Sequence, residues 1–418
     1  MVHVGLILAL VASLPRTVAE GPRQQLQASL NRTHPELPRL MLYHQTTHDA
    51  TGRPISLLPL VTKQHIGLTH LIVGAFHVHA NGTIHLNDHP PWHPRYSTLW
   101  AETRILQSPS TAGGRSGGVK VLGMVGGAAA GTFAADTLDG DGAAAAAFEA
   151  SYALLHEAVR AHTLDGVDLD VEEPMTLRGA ARLVRRLRAD FGPRFVISFA
   201  PVATALLGTG AGAGAGTGTG TGRRGRGRGR GGAGNLSGFD YRALERAVGR
   251  EIAFYNAQFY NGFGGMADTR LFDAIVGEGW EPDRIVIGQL TSPENGGGFV
   301  GHERFARTIE RLRRRHGEIG GVAGWEYFNA VPGGSSRPWE WAESMTRILR
   351  PPGTEPVLRI TREMAESLSR AWMVSAAEGG GGGAGGGAGG ISSASGLGTA
   401  EKRVGLAPNV DYMAMVNA

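Results

Sequence analysis

The strongest constraint on the fold of this chain is a ten-residue stretch in which acidic and aliphatic side chains alternate. Residues 164–173 read LDGVDLDVEE, with Asp168, Asp170 and Glu172 at every second position. Side chains along a β-strand point alternately to opposite faces, so the three acids share one face and lie about 6.6 Å apart. A solvated strand face usually mixes Lys, Thr and Ser among its acids. We therefore interpret this row as functional rather than as a solvent-exposed face.

Patterns of strand and helix alternate on both sides of this stretch. Eight short β-rich runs occur, at 40–45, 70–76, 119–125, 166–172, 194–200, 252–260, 284–290 and 321–328. Segments with helical periodicity separate them, as at Phe148, Tyr152, Leu155 and Val159. The first run lacks the glycine-rich turn that an open dinucleotide-binding sheet requires. The sequence therefore predicts an α/β fold, a (β/α)8 TIM barrel over residues 36–350.

Two glycine-rich tracts interrupt or follow this barrel pattern. One is an insert at 207–234 and the other a linker at 376–400, and neither can bury apolar surface, so both are predicted to be disordered. Between barrel and linker, 356–374 has an apolar stripe that predicts an amphipathic helix packed on the body. The C-terminal tail, 401–418, is apolar enough to dock on the protein, at a place that its sequence does not define.

The charge of the folded part excludes a strongly basic surface. The chain has a formal net charge of +4, but five of its arginines lie in the first glycine tract, at 223, 224, 226, 228 and 230. Without them the bases and acids nearly balance, so we expect no nucleic-acid partner. The arginine–glycine run resembles an RNA-binding segment, although a low-complexity loop insertion is the favoured interpretation. We expect a monomer.

The N-terminus predicts the cellular location. Residues 1–19 contain an apolar run followed by Thr17-Val18-Ala19, typical of a cleaved signal peptide and too short to span a membrane. Secretion is therefore predicted and no membrane association is expected, with a cytoplasmic protein as the alternative because the run is preceded by no Lys or Arg. The chain has no cysteine, so its redox environment gives no further indication.

The position of the acid row in a barrel predicts its chemistry. Active groups of (β/α)8 barrels sit at the C-terminal ends of strands, and Glu173-Pro174 ends the strand directly after Glu172. Glu172 is therefore the acid expected to reach a substrate and to act as a general acid. Asp170 is its neighbour, and Asp168 lies deeper and can share a proton with Asp170. Glu173 points to the other face and is assigned no catalytic role.

These residues resemble a known family. LDGVDLDVEE matches the DGxDxDxE signature of glycoside hydrolase family 18, the chitinases and their relatives, and the remaining segments are most similar to fungal members. Residues 120–131 resemble the family's third-strand SxGG segment, which ends here in Gly126 and Gly127 and has Met124 in place of serine. Residues 257–264 are similar to the QFYN segment, and 321–329 to the segment that carries a substrate-stacking tryptophan.

The resemblance implies a retaining mechanism without an enzymic nucleophile. Glu172 would protonate the glycosidic oxygen, and the 2-acetamido group of the substrate would attack the anomeric carbon. Asp170 would orient the acetamido N–H, Tyr260 would hydrogen-bond the acetamido oxygen, and Trp325 would form the floor under the sugar. Gln258, on the same strand face as Tyr260, would line the subsite. The loss of serine at Met124 affects local hydrogen bonding rather than the reaction.

The resemblance leaves the substrate open. The first hypothesis is a chitinase that cleaves β-1,4-linked N-acetylglucosamine polymers. The alternatives are an endo-β-N-acetylglucosaminidase acting on N-glycan cores and a non-catalytic chitin- or glycan-binding relative. No cofactor is implied, because the proton donor, the nucleophile and the charge-stabilising groups are already supplied.

Other candidate residues have more ordinary interpretations. Tyr43 and Phe76, near the ends of the first two strands, could line the sugar cleft, and barrel core filling explains them equally well. Five histidines between residues 77 and 93 suggest a metal site, but only His77 and His79 have a fixed spacing. We therefore predict that no metal is bound.

Overall fold

The computed structural model describes residues 37–108, 118–208, 234–350, 360–379 and 411–416. The predicted signal peptide and nearly all of the predicted Gly/Arg insert and glycine linker lie outside these ranges, so their expected disorder and cleavage stay predictions. Within these ranges no helix combines the length and the apolarity that crossing a bilayer requires.

The described chain forms a closed barrel of eight parallel strands. They are β1 (Arg39–His44), β2 (His70–His79), β4 (Lys120–Gly126), β5 (Gly166–Asp170), β6 (Val196–Phe199), β7 (Phe254–Gln258), β8 (Ile285–Leu290) and β9 (Gly321–Trp325). Each of these eight strands pairs in parallel with the next one in the order given. The first strand, β1, pairs with both β2 and β9, which closes the sheet. A short strand, β3 (Thr83–Leu86), extends β2 as an antiparallel hairpin. The predicted (β/α)8 fold is confirmed.

Helices cover the outside of this barrel. They are α1 (Pro59–Thr62), α2 (Ser97–Gln107), α3 (Ala145–Ala161), α4 (Leu177–Phe191), α5 (Tyr241–Val248), α6 (Arg270–Gly277), α7 (His302–His316), α8 (Trp339–Leu349) and α9 (Arg362–Gly379). The ends of α4 show how the sequence sets such boundaries. The hydroxyl of Thr176 accepts the N–H of Gly179 at the start, and Gly192 takes φ 78° after the last turn.

Alternation along the strands divides the apolar core into two layers. One layer fills the barrel interior and includes Met41, Ile72, Leu122, Phe254, Val286 and Ala323. The larger layer lies between the strands and the surrounding helices and takes the opposite face of each strand, as Val167 and Leu169 do on β5. The acids at 168 and 170 therefore point into the barrel, because the residues between them pack against helices.

The C-terminal segments dock on α2. The helix α9 buries Ala365, Leu368 and Trp372, and the hydroxyl of Ser375 accepts the N–H of Thr98 at 2.9 Å. The helix α9 begins at Arg362, later than the predicted start at residue 356. It ends at Gly379, beyond the predicted end at residue 374 and inside the predicted linker. From the tail, Tyr412 is 1% exposed and donates a hydrogen bond of 2.9 Å to Glu102 on α2.

Candidate active site

The three acids rise along the inner face of β5 toward the mouth of the barrel. Asp168 is fully buried and Asp170 is 5% exposed, whereas Glu172 is half-buried. The strand ends at Asp170, two residues earlier than the sequence predicted, so Glu172 lies just beyond it. The gradient in exposure makes Glu172 the most accessible of the three acids to a bound molecule. Glu173 accepts the N–H groups of Gly131 and Phe133 and thereby holds the loop after β4.

Asp168 is held by three neutral donors. Its Oδ2 accepts the hydroxyl of Tyr43 at 2.6 Å, and its Oδ1 accepts the hydroxyl of Ser198 at 2.6 Å and the amide of Asn256 at 3.0 Å. Burial raises the pKa of Asp168, and these three hydrogen bonds act in the opposite direction by stabilising its charged form. Among the described residues, neutral groups alone thus fix this carboxylate in position.

Gln258 connects the two upper acids. Its Nε2 lies 3.0 Å from Oδ1 of Asp170, from Oε1 of Glu172 and from the carbonyl oxygen of Ala200. An amide nitrogen carries two hydrogens, so these three acceptors share two donors. Burial, followed by the charges of Glu172 and Asp168, raises the pKa of Asp170 well above its usual value. Asp170 therefore favours its protonated form.

Aromatic residues surround the acids. Tyr260 is 7% exposed, and its hydroxyl makes no hydrogen bond with the described residues, so it can donate to a ligand. Burial and the charge of Asp170 raise the pKa of Tyr260, which keeps the phenol protonated. Trp325, at the end of β9, packs against Tyr43 with ring centroids 5.4 Å apart. Tyr43 thus contacts both the tryptophan and Asp168.

Gly126 and Gly127 allow the end of β4 to approach Asp170. Gly126 has φ +90°, and a Cβ there would lie 2.5 Å from the carbonyl oxygen of Asp170 and 2.4 Å from the ring of Phe133. Gly127 donates its N–H to the same carbonyl at 2.8 Å. Met124 fills the barrel interior below, and its methyl group lies 2.8 Å from where a Cβ of Gly127 would stand. Both positions therefore require glycine, because their φ angles are positive and an added Cβ would lie too close to neighbouring atoms.

Phe76 does not reach the site. Its ring is buried between the barrel and the helices, 6.4 Å from the ring of Trp100 by centroids. Strict alternation from Ile72 would point Phe76 inward, but the pairing of β2 with β4 is irregular between Val73 and Phe76. This irregularity shifts the phase of the strand, so Ala75 faces the interior and Phe76 faces outward. The expectation that Phe76 lines the cleft is wrong for this reason.

Three functional positions escaped the sequence analysis. Ser198 and Asn256 bind Asp168, and the signal for both was a polar residue at an inward position of an otherwise apolar strand. Glu326 follows Trp325 and accepts the N–H groups of Gln45 and Thr46, which fixes the loop after β1 beside the barrel mouth. Burial raises the pKa of Glu326. Within the described ranges, no cluster of three or more His, Asp or Glu side chains could hold a metal ion.

Comparisons with solved structures assign the chain to a class. It is 49% identical to a fungal endo-β-N-acetylglucosaminidase from glycosyl hydrolase family 18, with a TM-score of 0.66, covering 76% of this chain and 99% of that one. It is 46% identical to chitinase ChiC from Aspergillus fumigatus, with a TM-score of 0.60, covering 74% and 98%. A family 18 chitinase from Pseudoalteromonas aurantia, at 17% identity and a TM-score of 0.50, shares the fold.

The closed barrel, the row of three acids and these similarities together show that the protein is a glycoside hydrolase. No family model and no curated protein matches the sequence. The identity to the two fungal structures over nearly their whole length nevertheless settles the assignment, and the chain belongs to glycoside hydrolase family 18.

Proposed function

We propose that this protein hydrolyses the β-1,4 bond between two N-acetylglucosamine residues with retention of configuration, using Glu172 as general acid and base. The observation that carries this proposal is the bridge from Gln258 to both Asp170 and Glu172, at 3.0 Å to each. The bridge joins the half-buried Glu172 to the buried Asp170 at the barrel mouth.

The first step of the proposed reaction breaks the glycosidic bond. Glu172 transfers a proton to the glycosidic oxygen as the bond to the anomeric carbon breaks. The acetamido oxygen of the same sugar attacks that carbon and forms an oxazolinium ring, so the substrate supplies the nucleophile. Asp170 accepts a hydrogen bond from the acetamido N–H, and Tyr260 donates one to the acetamido oxygen. Trp325 packs under the apolar face of the sugar.

The second step regenerates the enzyme. The Glu172 carboxylate takes a proton from water, and the resulting hydroxide oxygen bonds to the anomeric carbon as the oxazolinium ring opens. Attack from the face that the leaving group vacated restores the original configuration. Asp170, held by Gln258, keeps the hydrogen bond from the ring N–H on its side-chain carbonyl oxygen while the oxazolinium ring exists.

Two substrates carry this bond, the core of N-linked glycans and chitin. A cleft of about 750 Å³ adjoins the mouth of the barrel, and its lining is largely polar, with Gln45, Thr46, Asn87 and Thr132 among its residues. A linear chitin chain is bound best by exposed aromatic rings, whereas a branched glycan needs room and polar partners. The cleft and the endo-β-N-acetylglucosaminidase relative support the N-glycan core; the similarity to chitinase ChiC supports chitin as the second candidate.

Parallel assays separate the two substrates. The purified protein is incubated with an N-glycosylated protein and with N-acetyl-chitotetraose, and the products are identified by mass spectrometry and by proton NMR of the fresh anomeric signal. Release of an oligosaccharide that leaves one N-acetylglucosamine on the protein supports the N-glycan core, and shortened chitin oligomers support chitin. An α-anomeric first product, or no cleavage of either substrate, would overturn the proposal.

A further inference from the structure

A histidine-lined cleft lies beside the candidate active site. It has a volume of about 750 Å³ and is bounded by the loop after β1, the β2–β3 hairpin, the loop leading to α2 and the loop after β4. Its walls include His48, His77, His79, His85 and Arg95. None of these five side chains has a part in the proposed hydrolysis.

The hairpin explains why three of the histidines face the same way. His77 pairs directly with His85, and His79 pairs with Thr83 on the facing strand. Val78, Ile84 and Leu86 take the other face and are buried in the core. The period of two therefore presents His77, His79 and His85 together to the cleft.

Arg95 adds a permanent positive charge to the same wall. One guanidinium nitrogen bonds the Nε2 of His89 at 2.9 Å, and the buried Nε of Arg95 has no hydrogen-bond partner among the residues that the structure describes. Within the described part of the chain, no carboxylate lies within ion-pair distance of Arg95. An arginine without a carboxylate partner in a polar cleft fits an anionic oxygen from a ligand.

Two connections join the cleft to the catalytic acids. On one side, Thr46 lines the cleft and binds Glu326, the residue after Trp325. On the other, Ala129 lines the cleft two residues after Gly127, whose N–H binds the carbonyl of Asp170. The loops that line the cleft are therefore the same loops that contact the residues flanking the acids.

We propose that this cleft binds an anionic substituent, a carboxylate or a phosphate, on an acidic glycan. The proposal rests on the proposed function in that the ligand is part of a glycan, and it adds a preference for acidic sugars. Arg95 supplies the fixed charge and the hairpin histidines supply hydrogen bonds and, when protonated, further charge.

Acidic conditions strengthen this site. Burial lowers the pKa of His48 to about 4, and burial with the charge of neighbouring histidines lowers the pKa of His77 and of His79. A bound anion favours the charged imidazoles, so binding takes up protons. The charged and titratable groups that face these histidines are His44, Asp49, Asp88, His85, His89, His93, Arg95 and Glu173. Three of the eight are acids, which limits the positive charge without removing it.

Calorimetric titration of the full chain tests the site without relying on hydrolysis. Glucuronic acid supplies the carboxylate, mannose 6-phosphate the phosphate, and mannose is the neutral control, each at about pH 5 and about pH 7.5. We expect at least one acidic sugar to bind about tenfold more tightly than mannose at the lower pH, with proton uptake, and more weakly at the higher pH. Glucuronic acid binding alone assigns the carboxylate, and mannose 6-phosphate binding alone assigns the phosphate.

Variants locate the binding. Arg95→Gln and His79→Gln should each weaken the acidic sugar about tenfold, whereas Arg347→Gln on the exposed side of α8 should not. His79 is exposed, so its variant keeps the test valid if Arg95→Gln does not fold. Equal binding of charged and neutral sugars, or unchanged binding in His79→Gln, would overturn the proposal. Hydrolysis with no acidic-sugar binding contradicts this site alone, and acidic-sugar binding without hydrolysis contradicts the proposed function alone.

Discussion

The hydroxyl of Tyr43 donates a 2.6 Å hydrogen bond to Oδ2 of Asp168, so the first strand of the barrel holds the deepest acid of the fifth. The ring of Tyr43 also packs on Trp325, with centroids 5.4 Å apart. One residue on β1 thereby links the base of the acid row to the proposed floor under the sugar.

Removing this hydroxyl should affect both stability and catalysis. In Tyr43→Phe the buried Oδ2 of Asp168 loses its donor, so we expect the free energy of unfolding to fall by about 1–3 kcal/mol. We also expect kcat to fall about tenfold, because the support of Asp170 from below is weakened. Urea denaturation and steady-state kinetics measure the two effects.

A second buried tyrosine provides the control for Tyr43→Phe. The hydroxyl of Tyr255 donates to Glu245 on the outer side of the barrel, away from the acids. Tyr255→Phe should lower stability by a similar amount and leave kcat unchanged. Equal loss of kcat in both variants would contradict a specific role for Tyr43.

Asp170 should lower the stability of the folded protein at neutral pH. Its pKa is raised in the folded state, so its contribution is most favourable below the unfolded pKa and is lost as the pH rises toward the folded pKa. Asp170→Asn removes that loss and should raise the free energy of unfolding at pH 7 more than at pH 4. Hydrolysis should be abolished. Thermal denaturation at pH 4 and pH 7 checks this, and a gain that is the same at both pH values would disagree with it.

Alanine substitutions at Gly126 and Gly131 distinguish the effect of a steric clash from the effect of a strained backbone. Gly126 has φ +90° and no room for a Cβ, whereas Gly131 has φ +115° and open space around it. Both alanine variants are strained, by about 1–2 kcal/mol, but only Gly126→Ala also displaces Phe133 and the backbone of Asp170. We expect Gly126→Ala to be the less stable of the two and the only one with reduced kcat. Similar behaviour of the two variants would show that the close approach to Asp170 is unimportant.

The stability of the folded protein should depend on pH through Glu102, the residue on α2 that Tyr412 of the C-terminal tail contacts. Burial raises the pKa of Glu102 to about 7, while hydrogen bonds from Ser56, Leu57 and Tyr412 act in the opposite direction. Its stabilising contribution is therefore complete at low pH and is lost as the pH rises through 7. Relative to Glu102→Gln, the wild-type protein should lose about 3 kcal/mol of unfolding free energy between pH 4.5 and pH 7.5. Parallel pH profiles for the two proteins would contradict this.

The fold could be predicted because each barrel strand carries its own local signal. Most of these strands are short, largely apolar runs, and the acid row of β5 keeps a strict period of two, so its inward face is defined by residues 167–170 alone. The hairpin partner β3 was missed although Asn81-Gly82 lies at its turn, a dipeptide typical of tight hairpins.

The parts of the site that could not be predicted depend on distant residues. Ser198 and Asn256 reach Asp168 from other strands, and nothing near either residue in the sequence indicates a carboxylate opposite. The orientation of Phe76 depends on an irregularity in the pairing of β2, which periodicity does not reveal. The docking of Tyr412 on Glu102 joins segments separated by 310 positions. Such contacts follow from the closed barrel rather than from any local pattern.

Hydrolysis of N-acetyl-chitotetraose and of an N-glycosylated protein by the wild-type protein and by Glu172→Gln tests the central claim most directly. Glutamine keeps the size of the side chain and its hydrogen bond from Gln258 but cannot transfer a proton. We predict that turnover of the cleaved substrate falls by at least about 100-fold while calorimetry shows the oligosaccharide still bound. Turnover within a few-fold of the wild-type rate in a correctly folded Glu172→Gln protein would contradict the account.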